Sequence, residues 1–432
     1  MVIYQVLPRL WGNGKFSDWQ SPSFEYLKSL GVDAVWYTGL MRHSIGEPFV
    51  KGTAGSPYSV ADCHDVNPYM ADNPRRRMQE FKALVSRTHK AGLKVIADYI
   101  PNHVGALCKD VPTYGWYDYD WEDTRKIDYS APGTWEAMLE IALFWAEKGI
   151  DGFRCDMVEL VPPEFLRWLI SKVKERYPHF VFIGEAYELG NYNRYIREVG
   201  FDLLYDKSGF YDSVRAIMGG RESARALTRN WQRLSDLQPN MLNFLENHDE
   251  QRLASPWFAS AAERGYAALA FAALFNEASF MLYAGQELGE DAAEGAEGRT
   301  SIFDFVKVRT LSGLWAKLSG KKARLPQKES RILARYRDIL GHVAAMHSLQ
   351  VWDLCYCNED SPGFNPDRHF AFLRYSADEA WLVFCNFSHE RAEAEIFIPR
   401  EVKQKCHPAA KQDGNVKVAA EAFDASIIRF RR

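Results

Sequence analysis

Short apolar runs and amphipathic stretches alternate through the first three quarters of the chain. Ile3–Val6, Ala34–Tyr37, Lys94–Tyr99, Gly152–Cys155, Phe180–Gly184, Asp202–Tyr205, Met241–Leu245 and Ser279–Tyr283 are short and largely apolar, which predicts strands covered on both faces. Stretches with helical spacing lie between them. Pro22–Leu30 closes at Gly31, and Arg76–Ala91 repeats Met78, Phe81, Leu84 and Val85 before Gly92. Thr134–Lys148 carries Trp135, Met138, Leu139, Ala142, Leu143 and Trp145 on its apolar side and closes at Gly149. A glycine just past the last periodic residue supplies a left-handed helix end. Pro163–Arg176, Tyr192–Val199, Tyr211–Met218, Ser223–Leu237, Ser260–Phe275 and Arg331–His347 continue the helical series. Eight strands, each followed by helix, predict an α/β fold, a (β/α)8 TIM barrel whose reactive groups lie at the strand carboxyl ends.

Two connections are longer than a barrel needs. Residues 102–133, after the third strand, are rich in Tyr, Trp and Asp and predict a short excursion over the barrel mouth. Gly285–Lys328 is a second long connection, Gly- and acid-rich, and its Gly289–Glu297 segment reads as a solvated lid or groove wall. From Leu349 the pattern changes to alternation at Asp367–Phe372, Ala380–Phe387, Ala392–Ile398 and Ile427–Phe430. The expected organisation is a catalytic barrel over 1–348, with the insertion at 102–133, and an all-β, sandwich-like C-terminal domain over 349–432.

A hydrophobic content of 47% over 432 residues supports a large core. The net charge of −4 and the lack of a Lys/Arg stripe argue against nucleic acid as a partner. Arg75–Arg77 is brief and reads as a solvated helix start. No run of about 18 apolar residues exists, so no membrane span is expected. The chain opens on a strand rather than a signal-like segment, so the expected compartment is the cytoplasm, with an exported mature form as the alternative. The 7 cysteines form no CxxC pair and are expected to be reduced and buried. Cys355 and Cys357 read as alternate residues of one strand. Aromatics make up 14% of the chain, enough to leave some for stacking on sugar rings.

Four of the strand ends carry acids or histidines: Asp98–His103, Gly152–Asp156, Gly184-Glu185 and Asn247-His248-Asp249. A charge beside a packed core costs several kcal/mol unless paired, so four such ends in series suggest one shared site. Two carboxylates facing each other across a bond are the minimum for retaining glycoside hydrolysis. Arg154 and Asp156 are two apart on a strand and point the same way, so the guanidinium can hold Asp156 ionised. Taken singly, each element has a structural reading: an ion pair for Arg154 and Asp156, core histidines for His103 and His248, an inward structural acid for Asp98.

Together the four segments resemble the signature blocks of the α-amylase family of retaining glycoside hydrolases, in order and in strand placement. Asp98–Val104 resembles the first block, Gly152–Asp156 the second, Gly184–Ala186 the third and Phe244–Asp249 the fourth. The resemblance implies Asp156 as nucleophile, Glu185 as acid/base and Asp249 as the stabilising carboxylate. It implies substrate-binding roles for Arg154, His103 and His248, and for Tyr58 as the tyrosine that stacks on the cleaved sugar. The expected substrate is an α-glucan oligo- or polysaccharide, cleaved at α-1,4 bonds by double displacement. The alternatives are a transglycosylase or glucosyl isomerase with the same three acids, a non-catalytic carbohydrate-binding barrel, and a metal hydrolase using His103, His248 and Asp249.

One block departs from the family pattern. Lys-His is expected three and four residues after the nucleophile, and Glu159-Leu160 stands there. That removes a histidine whose carbonyl usually joins a structural calcium, although Asn102 matches the calcium asparagine. No cofactor is expected to be required, no metal ligand is assigned, and a structural calcium is the one ion the resemblance raises.

Overall fold

A computed structural model describes residues 1–116, 121–322, 324–405 and 415–430. Tyr117–Asp120 of the excursion and Cys406 lie outside the described residues. The eight strands close into a parallel barrel in which sequence neighbours are spatial neighbours. They are β1 (Val2–Val6), β2 (Ala34–Tyr37), β3 (Lys94–Tyr99), β4 (Gly152–Cys155), β5 (Val181–Gly184), β6 (Leu203–Tyr205), β7 (Met241–Phe244) and β8 (Ser279–Tyr283). Ile3, Trp36, Ile96, Ile183, Leu203, Leu242, Phe244 and Met281 fill the barrel interior as a core of their own. The period of two along a strand then puts the next inward residue of β3 at Asp98, and that of β5 at Glu185 just past its end. Register sets Arg154 on β4 between Asp98 on β3 and Ile183 on β5.

The helices pack outside the barrel. Arg77–Lys90 and Thr134–Glu147 end where expected, at Gly92 and Gly149 with φ of +79° and +95°. A side chain at Gly149 would also meet Val85 Cγ1 at 2.8 Å, so glycine is required there twice over. Arg77 is drawn from the basic run into a bond with Asp65, while Arg75 and Arg76 stay exposed.

Several predicted elements are shorter or broken. Ser260–Phe275 resolves into a 3-10 turn, Ala262–Gly265, and a helix, Tyr266–Leu274, and Ser260, with a positive φ of 64°, stands outside both. Arg331–His347 becomes Gln327–Leu340 and Val343–Met346, divided at Gly341. Tyr192–Val199 begins as one α-turn and ends as a π-turn. Ser223–Leu237 keeps an α-helix only over Arg225–Leu234. Cys355 and Cys357 are not on a strand: Cys355 caps a 3-10 turn, Tyr356–Asn358, where the chain bends after Asp353.

The excursion after β3 is a three-stranded antiparallel sheet in the order His103–Gly105, Thr124–Ile127, Thr113–Trp116. An antiparallel pair missing from the sequence reading, Met41–His43 with Val60–Val66, lies between β2 and its helix. It meets the excursion closely enough that a Cβ on Gly105 would lie 2.6 Å from the Ser59 carbonyl oxygen.

The C-terminal sheet runs β9 (Gln350–Asp353), β10 (His369–Tyr375), β11 (Ala380–Asn386) and β12 (Ala425–Phe430), with a separate pair, Ala392–Ile396 and Val416–Ala420. Phe370 and Phe372 of β10 pack edge-on against Phe275 of the barrel layer, with ring centroids 5.2 Å apart in both pairs. Arg374, fully buried, donates to the carbonyls of Leu274, Met346 and Leu349 at 3.2, 2.5 and 2.7 Å.

Candidate active site

The carboxyl ends of the barrel strands open into a cavity of about 680 Å³. Tyr58, His103, Asp156, Glu185, His248 and Asp249 all line it. Arg154 lies beneath, with none of its side chain exposed. The sequence-predicted residues therefore converge on one place.

Arg154 sits at the centre. Nη1 pairs with Asp156 Oδ1, and Nη2 lies 2.6 Å from Glu185 Oε1. Trp36, Tyr58 and Tyr205 present ring faces to the guanidinium at 5.4–5.5 Å, so the cation is enclosed by π-systems rather than water. One planar group thus bridges two acids from adjacent strands, which a single ammonium could not match.

Burial pushes the Asp156 carboxyl above the usual range, and Arg154 pulls it back. Glu185 is also raised by burial, against the opposing pull of Arg154 and with a further push from the Asp156 charge. Besides Arg154, it accepts from the Met157 N–H at 2.8 Å and the Tyr187 hydroxyl at 2.7 Å. Met157 takes a left-handed φ of 46°, and that turn aims its N–H at Glu185. Asp249 is raised by enclosure in the cleft and by Glu185. Its side chain is nevertheless 42% exposed, so water in the open cleft moderates the rise.

A hydrogen-bonded chain crosses the floor. The Gln5 amide lies 2.7 Å from His248 Nδ1, which leaves the ring proton on Nε2. Nε2 faces the Tyr58 hydroxyl at 2.5 Å and Asp249 Oδ2 at 3.2 Å. Tyr58 in turn donates to Asp98 at 3.1 Å, and the Gly39 N–H donates to the same carboxylate at 2.8 Å. Asp98 is thus a structural acid that fixes Tyr58. Burial holds His248 well below its ordinary value and His103 down at about 4, so both rings are neutral.

The cleft also contains residues to which sequence reasoning gave no role. Glu159, where lysine was expected, accepts from the Tyr187 N–H at 2.8 Å, the Glu188 N–H at 3.3 Å and Asn191 Nδ2 at 2.8 Å. It braces the loop that carries Tyr187. Leu160 stands 58% exposed at the rim. Trp121 and Lys51 line one side, and Ala296, Glu297 and residues 299–303 form a wall, as expected for the long connection after β8. Tyr187, two positions past Glu185, had a positional signal. Met157 acts through its backbone and had none.

Calcium needs six to eight oxygen ligands. Asn102 shares its groove with Lys126 and Asp128 and lies 3.1 Å from His103 Nδ1. Among the described residues, two clusters of three His, Cys, Asp or Glu ligands occur: Cys63, Cys108 and Asp110, and Asp62, His64 and Asp110.

Comparison with known proteins gives a consistent result. The family profile described as alpha amylase, catalytic domain, matches residues 21–118 and 113–328. The alpha-amylase MalA of Haloarcula japonica is 26% identical over 67% of this chain and 44% of its own length. Neopullulanase 2 of Thermoactinomyces vulgaris is 24% identical over 71% of this chain and 61% of its own. The chain spans about half the length of the curated relatives it matches. An alpha-amylase structure from Lactobacillus plantarum superposes with a TM-score of 0.71 at 21% identity, covering 100% of this chain and 98% of that one.

Proposed function

The chain belongs to the alpha-amylase family, and on that premise we propose that it is a retaining glycoside hydrolase cleaving α-1,4-glucosidic bonds of maltodextrins or related α-glucans. The observation that carries this reading is one buried guanidinium bridging Asp156 and Glu185 at the mouth of the barrel. Two carboxyls held within the span of one guanidinium favour the close pairing of retaining enzymes, about 5–5.5 Å, over the wider inverting pair.

The roles follow from the environments. Asp156, held ionised by Arg154, attacks the anomeric carbon. Glu185 gives its proton to the departing glycosidic oxygen, leaving a glycosyl ester on Asp156. Glu185, now ionised, is stabilised by Arg154, Tyr187 and the Met157 N–H, and takes a proton from the water that cleaves the ester. Asp249, against neutral His248, is placed to grip hydroxyls of the distorted sugar. The Tyr58 ring, fixed by Asp98 and stacked on His248 at 5.2 Å, offers a platform for that sugar. Asn102 serves as a structural residue of the excursion.

Asp156→Asn and Glu185→Gln should leave maltodextrin binding intact and cut turnover by roughly 10³-fold or more, as expected when a catalytic group is lost. Unchanged hydrolysis in either variant would overturn the assignment. Sizing the products from a linear maltodextrin tests the outcome of the second step: glucose and maltose support hydrolysis, whereas chains longer than the substrate would mean transfer.

A further inference from the structure

Away from the sugar cleft, Cys63, Cys108 and Asp110 form a second cluster of ligating atoms. Cys63 belongs to the strand Val60–Val66, while Cys108 and Asp110 follow the strand His103–Gly105. The two sulfurs are 3.8 Å apart, and Cys108 Sγ is 3.7 Å from Asp110 Oδ2. All three ligating atoms lie within 4.8 Å of one another. Both cysteines are buried, and Asp110 is half-buried at the rim, which leaves a path from solvent. His64 Nδ1 lies 3.9 Å from the same Asp110 oxygen.

The separations discriminate among ligands. Zinc–thiolate bonds of about 2.3 Å at the tetrahedral angle put two sulfurs about 3.8 Å apart. A thiolate and a carboxylate oxygen at about 2.1 Å from zinc lie about 3.6 Å apart. Both observed edges match one face of such a tetrahedron. The donors are also held in place. The Cys63 N–H donates to Asp110 Oδ2 at 2.7 Å, and the Trp145 indole donates to the Cys63 carbonyl at 2.8 Å. Contacts of this kind orient ligands before a metal arrives. Two sulfurs disfavour calcium and magnesium, which take oxygen ligands.

We propose that Cys63, Cys108 and Asp110 bind a thiophilic divalent cation, zinc(II), with water or the His64 imidazole in the fourth position. Binding replaces two thiol protons, which are released to solvent, and forms two zinc–thiolate bonds without any change of oxidation state. The ion joins the strand that follows Tyr58 to the excursion that carries His103 and Thr124. It would brace one wall of the cleft and take no part in bond cleavage, so the site stands or falls independently of the hydrolase reading.

The test uses the full chain, reduced, stripped with chelator, loaded with zinc(II) or cobalt(II) and passed through gel filtration. About one zinc should remain per chain by elemental analysis, the stoichiometry of a single structural site. The cobalt form should show a thiolate charge-transfer band and the strong visible bands of tetrahedral coordination. Cys63→Ser and Cys108→Ser should lose retention and bands, whereas Cys385→Ser, a buried cysteine of β11, should keep both. Asp110→Asn, at the rim where folding is least at stake, should lose or shift the visible bands while retaining the wild-type circular dichroism. Failure of the wild type to retain zinc at micromolar free metal would overturn the proposal. So would equal retention by the Cys63 and Cys108 variants, or a Cys63–Cys108 disulfide in the zinc-loaded protein.

Discussion

The Tyr187 hydroxyl donates to Glu185 Oε1 at 2.7 Å, on the same oxygen that Arg154 approaches at 2.6 Å. A donor to a carboxylate favours its ionised form, so Tyr187 opposes the burial that raises Glu185. Removing the hydroxyl in Tyr187→Phe should therefore raise the Glu185 pKa. Glu185 would keep its catalytic proton to higher pH, and the basic limb of the kcat/KM profile should move alkaline. A hydrogen bond to a charged group contributes about 1.5 kcal/mol or more, which corresponds to roughly one pH unit. A profile that scales down without moving would show that Tyr187 only touches substrate.

Glu159 acts on the same acid at one remove. Its carboxylate holds the backbone N–H groups of Tyr187 and Glu188 and the side chain of Asn191. Glu159→Ala should shift the basic limb in the same direction as Tyr187→Phe. The double variant should shift no further than the larger single one, because both changes act through one hydroxyl. Additive shifts would separate the two residues.

Arg154→Lys keeps the charge but cannot serve Asp156 and Glu185 together. One carboxyl is then left buried and unpaired. Turnover should fall by roughly 10²–10³-fold, the scale of losing a preorganised donor. The limb set by the unpaired carboxyl should move to higher pH, the acid limb if it is Asp156 and the basic limb if it is Glu185. A pH–rate profile with neither limb shifted would mean that neither acid depends on this pairing.

His43 gives a prediction for stability against pH. Its ring is buried between the Ala54 carbonyl and Asn67, and burial lowers it to about 4 from an ordinary value of 6.5. The unfolded chain thus binds a proton that the folded chain refuses, and the stability it contributes above pH 6.5 is lost as pH falls through the folded value near 4. Glu246, raised to about 7 mainly by burial, acts with the opposite sign as pH rises, so the comparison must be differential. Denaturant midpoints of the wild type minus those of His43→Gln should decline between pH 6.5 and 4. A constant difference would show that His43 does not titrate on unfolding.

Arg374 joins β10 to the ends of two helices of the barrel layer through the carbonyls of Leu274, Met346, His347 and Leu349. Arg374→Met fills similar space but leaves those buried acceptors without donors, at about 1–3 kcal/mol for each that stays dry. The melting temperature should fall by several degrees, with Asp156 and Glu185 undisturbed and activity per folded molecule unchanged. An unaltered melting temperature would show that water replaces the guanidinium at that seam.

The barrel was legible because its signals are local and repeated. Each strand is a short apolar run, and glycines such as Gly92 and Gly149 mark helix ends by backbone freedom alone. Asp156, Glu185 and Asp249 stood out as acids in series at strand ends and through the resemblance of their segments to the family's blocks, although each taken singly also had a structural reading. The pair Met41–His43 and Val60–Val66 was not, since its pattern, including His43, Asp62, His64 and Asp65, mixes polar residues into short strands with a register shift. The late helix start after Ser260 and the break at Gly341 escaped for a related reason: apolar spacing continues across them while the backbone does not.

The sequence by itself determined the order of elements, the barrel and which strand ends carry acids, because these depend on periodicity and on which residue type stands at a strand end. Tertiary structure decided how those acids behave. That Arg154 serves Glu185 as well as Asp156 depends on the register of β4 against β5. The Met157 N–H and the Tyr187 hydroxyl reach Glu185 only through a left-handed turn and a loop braced by Glu159. Cys63 and Cys108 meet only because two insertions from different connections fold against each other. These are relations between distant segments, and the free energy that fixes them comes from packing and closure of the whole barrel, which no local pattern encodes.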